Sequence, residues 1–332
     1  MRTWLTERFG LALPVVGAPM AGVAAGRLAA AISQAGALGM FGAGSAATPE
    51  WIREQAGIAA APGRPFGIGL MAWALAQQPA QLDAAIAADP ALVSVSYGDY
   101  PQYVAAIQDA GIAVATQVGT LAEAVAAEAA GVDVIVARGG EGGGHGRNDV
   151  GTLPLLQLVL DTVGTPVLAA GGIGSARGLA AVLAAGAAGA WVGTAFLACE
   201  EAELSAAAQQ LLFAAAETDT AYGRVFDVAQ RLAWPQEYGG RALRNQFFDR
   251  WSGQEDQLGS DDEAAAQLRA ARKAGDFASA YLYAGQGVGL LNALRSAAAV
   301  VAELAGAARL LRAAGSVAEP LVEVERGPAQ PE

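Results

Sequence analysis

The chain of 332 residues has a net charge of −12, with 32 acidic and 20 basic side chains, which argues against nucleic acid or an anionic membrane surface as a partner. One cysteine, Cys199, excludes an internal disulfide, and one cysteine with one histidine disfavours a zinc site built from protein ligands. Charged Glu7 and Arg8 stand where a signal peptide needs apolar residues. The uncharged window 178–199 divides into a helix-like and a strand-like half. We expect a cytoplasmic protein without a membrane span or a metal, with Cys199 buried.

Short apolar runs alternate with alanine-rich helical patterns along the first 199 residues. Strands that are apolar on both faces and separated by helices pair in parallel through right-handed crossovers. Eight such units predict an α/β fold of the closed (β/α)8 type, a TIM barrel. The eight predicted strands are 14–19, 37–42, 65–71, 92–98, 112–118, 132–139, 165–172 and 188–196.

The region after predicted strand eight differs in character from the barrel. Residues 200–284 are richer in aromatic and charged side chains, and we predict a helical insertion that caps the barrel. Residues 285–314 would return as the closing barrel helix, so that residues 1–199 and 285–314 form the barrel domain. The acidic, proline-bearing tail 315–332 is predicted to be loose. The core of the cap is expected to contain aromatic side chains such as Trp234, Tyr238 and Trp251, with the alternative that one of them lines the substrate pocket.

The active site of such a barrel lies in the loops after its strands. The loop after strand seven, AGGIGSARG (170–178), and the loop after strand eight, GTA (193–195), occupy the positions that commonly hold a phosphate. Glycine lets backbone amides approach an anion, although these glycines could also serve only as tight turns. GAGSAA (42–47) imitates a dinucleotide fingerprint, but no acidic residue follows at the required distance, which disfavours a Rossmann-type NAD site.

The single histidine, His145, lies in ARGGEGGGHGR (137–147), the glycine-rich loop after strand six. Imidazole is the side chain best suited to proton exchange near neutral pH, and we predict His145 as the catalytic residue. Glu141 or Asp149 could orient its ring, or both could simply be solvated. The only lysine, Lys273, lies in the insertion, which excludes a Schiff-base aldolase. One acid–base residue without a nucleophile suggests that a bound cofactor carries the reaction.

Several motifs resemble those of the nitronate monooxygenases, formerly called 2-nitropropane dioxygenases, which are FMN-dependent TIM-barrel enzymes. EGGGHG, PVLAAGGI and AWVGTAFLACEEA, at strands six to eight, carry the resemblance, and GAPMAG and GQGVGL near the two ends agree with it. It implies FMN as cofactor, an alkyl nitronate and O2 as substrates, and His145 beside the flavin ring. It places around FMN the residues Pro19, Met20, Gly69, Gln117, Arg138, Gly143, Gly171, Gly172, Gly193 and Thr194.

Three positions depart from the usual residues of that family. Arg138 stands in place of Gln, where it could add positive charge near the flavin. Gly69 in place of Asn and Ala195 in place of Arg remove polar contacts, with consequences for flavin affinity or substrate choice.

Two other classes of function stay open. The same barrel and histidine loop occur in flavin-dependent enoyl-acyl-carrier-protein reductases and in NAD(P)H:quinone reductases, so an FMN-dependent NAD(P)H oxidoreductase is the alternative. A flavin-free barrel, either a phosphosugar isomerase or lyase or a ligand-binding protein, is the third class. The sequence also leaves a homodimer open.

Overall fold

The computed structural model describes residues 1–317, and its centre is a closed barrel of eight parallel strands. The last barrel strand pairs with the first, with Trp191 opposite Val16, which closes the barrel. The predicted α/β fold, a (β/α)8 TIM barrel, is confirmed. The strands are β1 (Val15–Gly17), β2 (Leu38–Gly42), β3 (Phe66–Met71), β4 (Leu92–Ser96), β5 (Ala113–Val118), β6 (Val134–Arg138), β8 (Val167–Ala170) and β9 (Gly189–Val192), with β7 (Gly144–Gly146) outside the barrel.

Helices between the strands cover the outside of the barrel. Hydroxyl side chains cap several of them: Thr48, Thr120 and Ser175 each accept a hydrogen bond from a backbone amide of the first turn. The helices up to the insertion are α1 (Trp4–Phe9), α2 (Gly26–Gln34), α3 (Pro49–Ala60), α4 (Ala72–Leu75), α5 (Ala80–Ala87), α6 (Pro101–Asp109), α7 (Leu121–Ala129), α8 (Thr152–Leu160), α9 (Ala176–Ala184) and α10 (Thr194–Leu197).

Two apolar layers stabilise the barrel. Side chains inside it, among them Val16, Met40 and Trp191, form one cluster, and a second cluster fills the space between the strands and the helices. α1 contributes the fully buried Leu5 to the inner cluster, next to Gly189 at the start of β9. α1 therefore covers the N-terminal end of the barrel. The candidate functional loops lie at the opposite end, after the C-terminal ends of the strands.

The insertion contains strands as well as helices, so the prediction of a purely helical cap was incomplete. β10 (Thr220–Gly223) and β11 (Gly239–Leu243) form an antiparallel sheet with β7, in the order β10-β11-β7. The short β10 is half-buried throughout, so it lacks the apolar alternation that identifies a strand in sequence. The helices of the insertion are α11 (Ala206–Ala214), α12 (Val225–Gln230), α13 (Gln246–Trp251), α14 (Glu255–Ser260) and α15 (Asp262–Ala274).

The segment predicted as the closing helix, 285–314, is not one helix. It begins with a 3₁₀ turn, Gln286–Leu290, and α16 (Ala297–Ala305) starts only after Ser296, whose hydroxyl accepts from the amide of Ala299. Three glycines within GQGVGL disfavour a longer helix there. α17 (Ala307–Val317) follows, and residues 318–332 of the predicted tail lie outside the described residues.

The apolar window 178–199 forms most of α9 and all of β9, as its two halves predicted. Across residues 1–317, the helices are too short or too polar to cross a bilayer.

Gly39 tests how tightly the barrel packs on its helices. A Cβ at this position of β2 would overlap the backbone of Ala29 on α2, so Gly39→Ala forces β2 and α2 apart. We expect the free energy of unfolding to fall by about 3 kcal/mol or more, at the upper end of the usual cost of overpacking. Urea unfolding followed by circular dichroism measures the change.

Gly57→Ala is the matched control, because a Cβ at this position of α3 meets no atom within 4 Å. Alanine is the better helix former, and we expect the stability to rise by up to about 1 kcal/mol. Equal unfolding midpoints for the two variants would contradict the packing described here.

Cys199 is fully buried after β9, as expected. Burial, followed by the negative charge of Glu201, raises the pKa of its thiol to about 12. The thiol therefore stays protonated at pH 8, and we expect no alkylation by iodoacetamide in the native protein and full alkylation in urea. Mass spectrometry of the intact chain measures this, and rapid native labelling would contradict it.

Candidate active site

The loop after β8 places glycines and backbone amides directly before a helix. Gly171 and Gly172 have φ values of +108° and +67°, a backbone region that favours glycine. Within residues 1–317, the amides of Gly172, Ile173 and Gly174 donate to no protein acceptor. They lie directly before α9, whose N-cap is Ser175. Unpartnered amides at a helix start bind phosphate, so this turn fits the predicted phosphate site.

The 3₁₀ turn joins the loops after β9 and β6. The amide of Gly285 donates to the hydroxyl of Thr194 at 3.0 Å, and the amide of Gln286 donates to the carbonyl of Glu141 at 2.9 Å. A Cβ at Gly143 would overlap the backbone of Gly285. Two residues predicted from separate motifs, Gly143 and Thr194, are therefore brought together by the GQGVGL segment.

The loop after β1 brings Pro19 and Met20 over the ends of three other strands. A Cβ at Gly69 on β3 would overlap the ring of Pro19, so proline occupies the space that an asparagine would need. A Cβ at Gly193, after β9, would lie 3.6 Å from the sulfur of Met20. These four predicted residues form one cluster at the barrel mouth, and Gly69 is explained by the close approach of Pro19.

Arg138, the last residue of β6, holds the histidine loop. Its Nη2 donates to the carbonyl oxygens of Gly142 and Gly144 at 2.6 and 3.0 Å, and its Nη1 donates to that of Arg147 at 3.1 Å. The residue is 4% exposed, and burial lowers the pKa of its guanidinium. The dipoles of these carbonyl groups stabilise the buried charge of Arg138. Its hydrogen bonds hold the histidine loop in place. Gln117, near the end of β5, shares with Arg138 the lining of a small cavity.

A second arginine fixes the same loop from the insertion. Arg241 on β11 donates from Nε to the carbonyl of Gly140 at 2.8 Å and from Nη2 to Oδ1 of Asn148 at 2.7 Å. β11 also pairs with β7 and places Gly240 opposite His145. The insertion therefore sets the backbone position of the histidine.

The imidazole of His145 is paired with a carboxylate of the insertion. Its Nε2 lies 2.9 Å from Oδ1 of Asp227 on α12, and the two side chains are 10% and 2% exposed. The hydroxyl of Tyr283 donates to the same oxygen at 3.5 Å. Burial, followed by the negative charge of Asp227, raises the pKa of Tyr283 well above its usual value, so the phenol stays protonated.

Trp234 covers one face of the imidazole. The ring centroids of Trp234 and His145 are 3.6 Å apart and their planes differ by 2°. The edge of Tyr97 packs against Trp234 at 5.2 Å, and its hydroxyl donates to the carbonyl of His145 at 3.1 Å. The expectation that Trp234 lies in the core of the cap was therefore wrong, because the segment between α12 and β11 folds over the barrel mouth. Tyr238 also packs on Tyr97, whereas Trp251 lies in the cap core as expected.

Neither acidic neighbour of His145 in sequence orients its ring. Glu141 accepts from the amide of Thr152 at 2.9 Å, at the start of α8. The hydroxyl of Thr152 donates to the carbonyl of Gly171 at 3.1 Å, so Glu141 and Thr152 tie the histidine loop to the loop after β8. Asp149 is exposed to solvent.

The sequence analysis missed three residues that contact the histidine: Tyr97, Asp227 and Tyr283. Asp227 had a detectable signal, since it interrupts the apolar stretch Val225–Ala229, and an acid within a buried helix face is rare unless it is paired. The two tyrosines carry no comparable local signal.

Comparisons with known proteins agree with this site. A family model described as nitronate monooxygenase matches residues 2–306. A nitronate monooxygenase from Paraburkholderia phytofirmans is 32% identical over 90% of this chain and 93% of its own length. A (3aS,4S,5R,7aS)-5-hydroxy-7a-methyl-1-oxo-octahydro-1H-indene-4-carboxyl-CoA dehydrogenase from Rhodococcus jostii is 35% identical over 68% of this chain, and the match spans only 64% of that dehydrogenase.

Solved structures resemble the whole chain. A nitroalkane oxidase from Streptomyces ansochromogenes has a TM-score of 0.79 and 31% identity, covering 93% of this chain and 99% of that one. FabK from Thermotoga maritima has a TM-score of 0.82 and 26% identity, covering 96% and 100%. The resemblance noted in the sequence is confirmed, and so is its assignment as an enzyme: the chain belongs to the nitronate monooxygenase family.

Proposed function

We propose that this protein oxidises alkyl nitronates with O2 to a carbonyl compound and nitrite, with FMN as cofactor. The observation that carries the proposal is the position of the only imidazole. His145 lies at the barrel mouth, in the loop that Glu141 and Thr152 tie to the turn with unpartnered amides. Membership of the nitronate monooxygenase family supports this choice of substrate.

The residues present fit FMN. The amides of Gly172 to Gly174 and the N-terminus of α9 would hold its phosphate, because they offer donors that have no acceptor within residues 1–317. Pro19 and Met20 pack over glycines at the ends of β3 and β9, and they would border the flavin ring. FMN would supply the electron transfer and the reaction with oxygen.

His145 would act on the proton of the substrate. A nitronate is the conjugate base of a nitroalkane, so a residue that accepts or donates one proton can bind either form. Imidazole also donates a hydrogen bond to a nitro group when it is protonated. The stacked Trp234 and the sheet β10-β11-β7 exclude water from this ring.

The alternative is an FMN-dependent NAD(P)H oxidoreductase. The observation that favours it is the relative named as a carboxyl-CoA dehydrogenase, which is more identical to this chain than the Paraburkholderia monooxygenase but over a shorter match. The two functions would share the barrel, the phosphate loop and His145, and they differ in the electron donor.

Anaerobic mixing separates the two functions. We expect alkyl nitronate to bleach the visible absorbance of the purified protein, and NADH or NADPH to leave it unchanged. His145→Gln should lower kcat/KM for the nitronate by about 10²- to 10⁴-fold, the usual contribution of acid–base catalysis, with an unaltered resting spectrum. Bleaching by NADH or NADPH but not by nitronate would reject nitronate oxidation in favour of the alternative.

Gly172 tests the phosphate site. Gly172→Asp introduces a carboxylate into this turn, and its negative charge would repel a phosphate bound at the amides. We expect the FMN affinity to fall by at least about 10-fold, which corresponds to about 1.4 kcal/mol of binding free energy. Equilibrium dialysis against FMN measures it.

Gly275→Asp is the matched control. Gly275 ends α15 with a φ of +68°, nearly that of Gly172, and a Cβ there meets no atom within 4 Å. The same backbone strain is thus introduced away from the site, and we expect unchanged FMN affinity. An equal loss in both variants would count against a phosphate at Gly172.

A further inference from the structure

We propose that Asp227 is a positioning residue for His145: its carboxylate keeps a proton on Nε2, so that Nδ1 is the nitrogen that exchanges a proton with the substrate. This inference rests on the acid–base role of His145 in the proposed function. It adds which atom of the ring acts, and which residue of the insertion decides it.

The hydrogen-bond chemistry of the pair sets the tautomer. An ionised carboxylate accepts hydrogen bonds and donates none, so the proton in the 2.9 Å contact between Asp227 and His145 must belong to Nε2. A neutral imidazole carries one proton, and Nδ1 then holds the free lone pair. Within residues 1–317, Nδ1 of His145 has no hydrogen-bond partner.

Packing closes the other approaches to the ring. Trp234 lies flat on one face, and a Cβ at Gly240 would lie 3.4 Å from both Nε2 and Cε1 of His145. The ring of Tyr283 is tilted at 5.2 Å from the imidazole. With one face covered and Nε2 paired, a proton exchanged with the substrate must pass in the ring plane through Nδ1.

Asp227 is held rigidly enough to fix this geometry. Its neighbours Val225, Phe226 and Ala229 are buried in the apolar core of the insertion, which anchors α12. Asp227 itself is 1% exposed, and Tyr283 donates a second hydrogen bond to Oδ1. A buried carboxylate without a partner is costly in free energy, so the hydrogen bond to His145 also stabilises the buried carboxylate of Asp227.

The single histidine makes the test direct. In the full chain labelled with ¹⁵N-histidine, one imidazole gives all the ring signals, and long-range ¹H–¹⁵N correlation reports which nitrogen is protonated. We expect a protonated Nε2 with a deshielded, slowly exchanging proton, and an unprotonated Nδ1. A wild-type spectrum with the proton on Nδ1, or with rapidly exchanging tautomers, would overturn the proposal.

Asp227→Asn removes the pure acceptor while keeping the shape of the side chain, because an amide can donate to Nε2 as well as accept from it. We expect loss of the deshielded proton and of the single tautomer. We also expect nitronate turnover to fall by between about 10-fold and 10⁴-fold, the upper figure being the cost of the same change in the serine protease triad. An unchanged tautomer in this variant would reject the role of Asp227.

Asp249→Asn is the matched control, since it makes the same chemical change in the insertion at an exposed carboxylate paired with Arg244. Its imidazole spectrum and turnover should equal those of the wild type. If Asp227→Asn does not fold, Tyr283→Phe keeps the pair and should keep the Nε2 proton, whereas its loss would assign the tautomer to the tyrosine.

The imidazole spectrum requires no substrate, so the two proposals fail separately. A protonated Nε2 in a protein that does not oxidise nitronates would reject the proposed substrate alone. Nitronate oxidation by a protein with the proton on Nδ1 would reject the positioning role alone.

Discussion

The site depends on how a loop without side chains is held in place. Six glycines surround His145 between residues 139 and 146, so the loop has almost no packing of its own. Arg138 and Arg241 supply its rigidity through hydrogen bonds to four of its carbonyl groups, those of residues 140, 142, 143 and 144. Hydrogen bonds from a charged donor contribute about 1.5–3 kcal/mol each, enough to offset the conformational entropy that a residue of the loop loses on ordering, about 1–2 kcal/mol. The need to hold this loop in place therefore explains an arginine at position 138.

This constraint gives the insertion a part in the site. Its strand β11 pairs with the histidine loop, its helix α12 supplies Asp227, and the segment before β11 supplies Trp234. The barrel contributes the loop after β8 and the glycine-lined strand ends. The centre thus forms where two parts of the chain meet, and movement of the insertion would change the environment of His145 without altering the barrel.

The loop after β8 and the histidine loop are linked through Glu141 and Thr152. The amide of Thr152 donates to the carboxylate after β6, and its hydroxyl donates to the carbonyl of Gly171 after β8. A ligand held by the amides after β8 is therefore kept at a fixed distance from the imidazole. That rigid separation suits a cofactor bound by its phosphate at one end and reacting at the other.

The sequence by itself determined the barrel, because continuous apolar runs separated by helical patterns have one common solution, and strand order follows from short right-handed crossovers. It also placed His145 and the glycines after strands seven and eight, since barrel loops carry function at one end. Tertiary structure alone decided that Asp227, and neither Glu141 nor Asp149, meets the imidazole. Residues 145 and 227 are 82 positions apart, and their contact depends on the pairing of β11 with β7. That pairing joins short strands that lack apolar alternation, so local sequence patterns could not predict it.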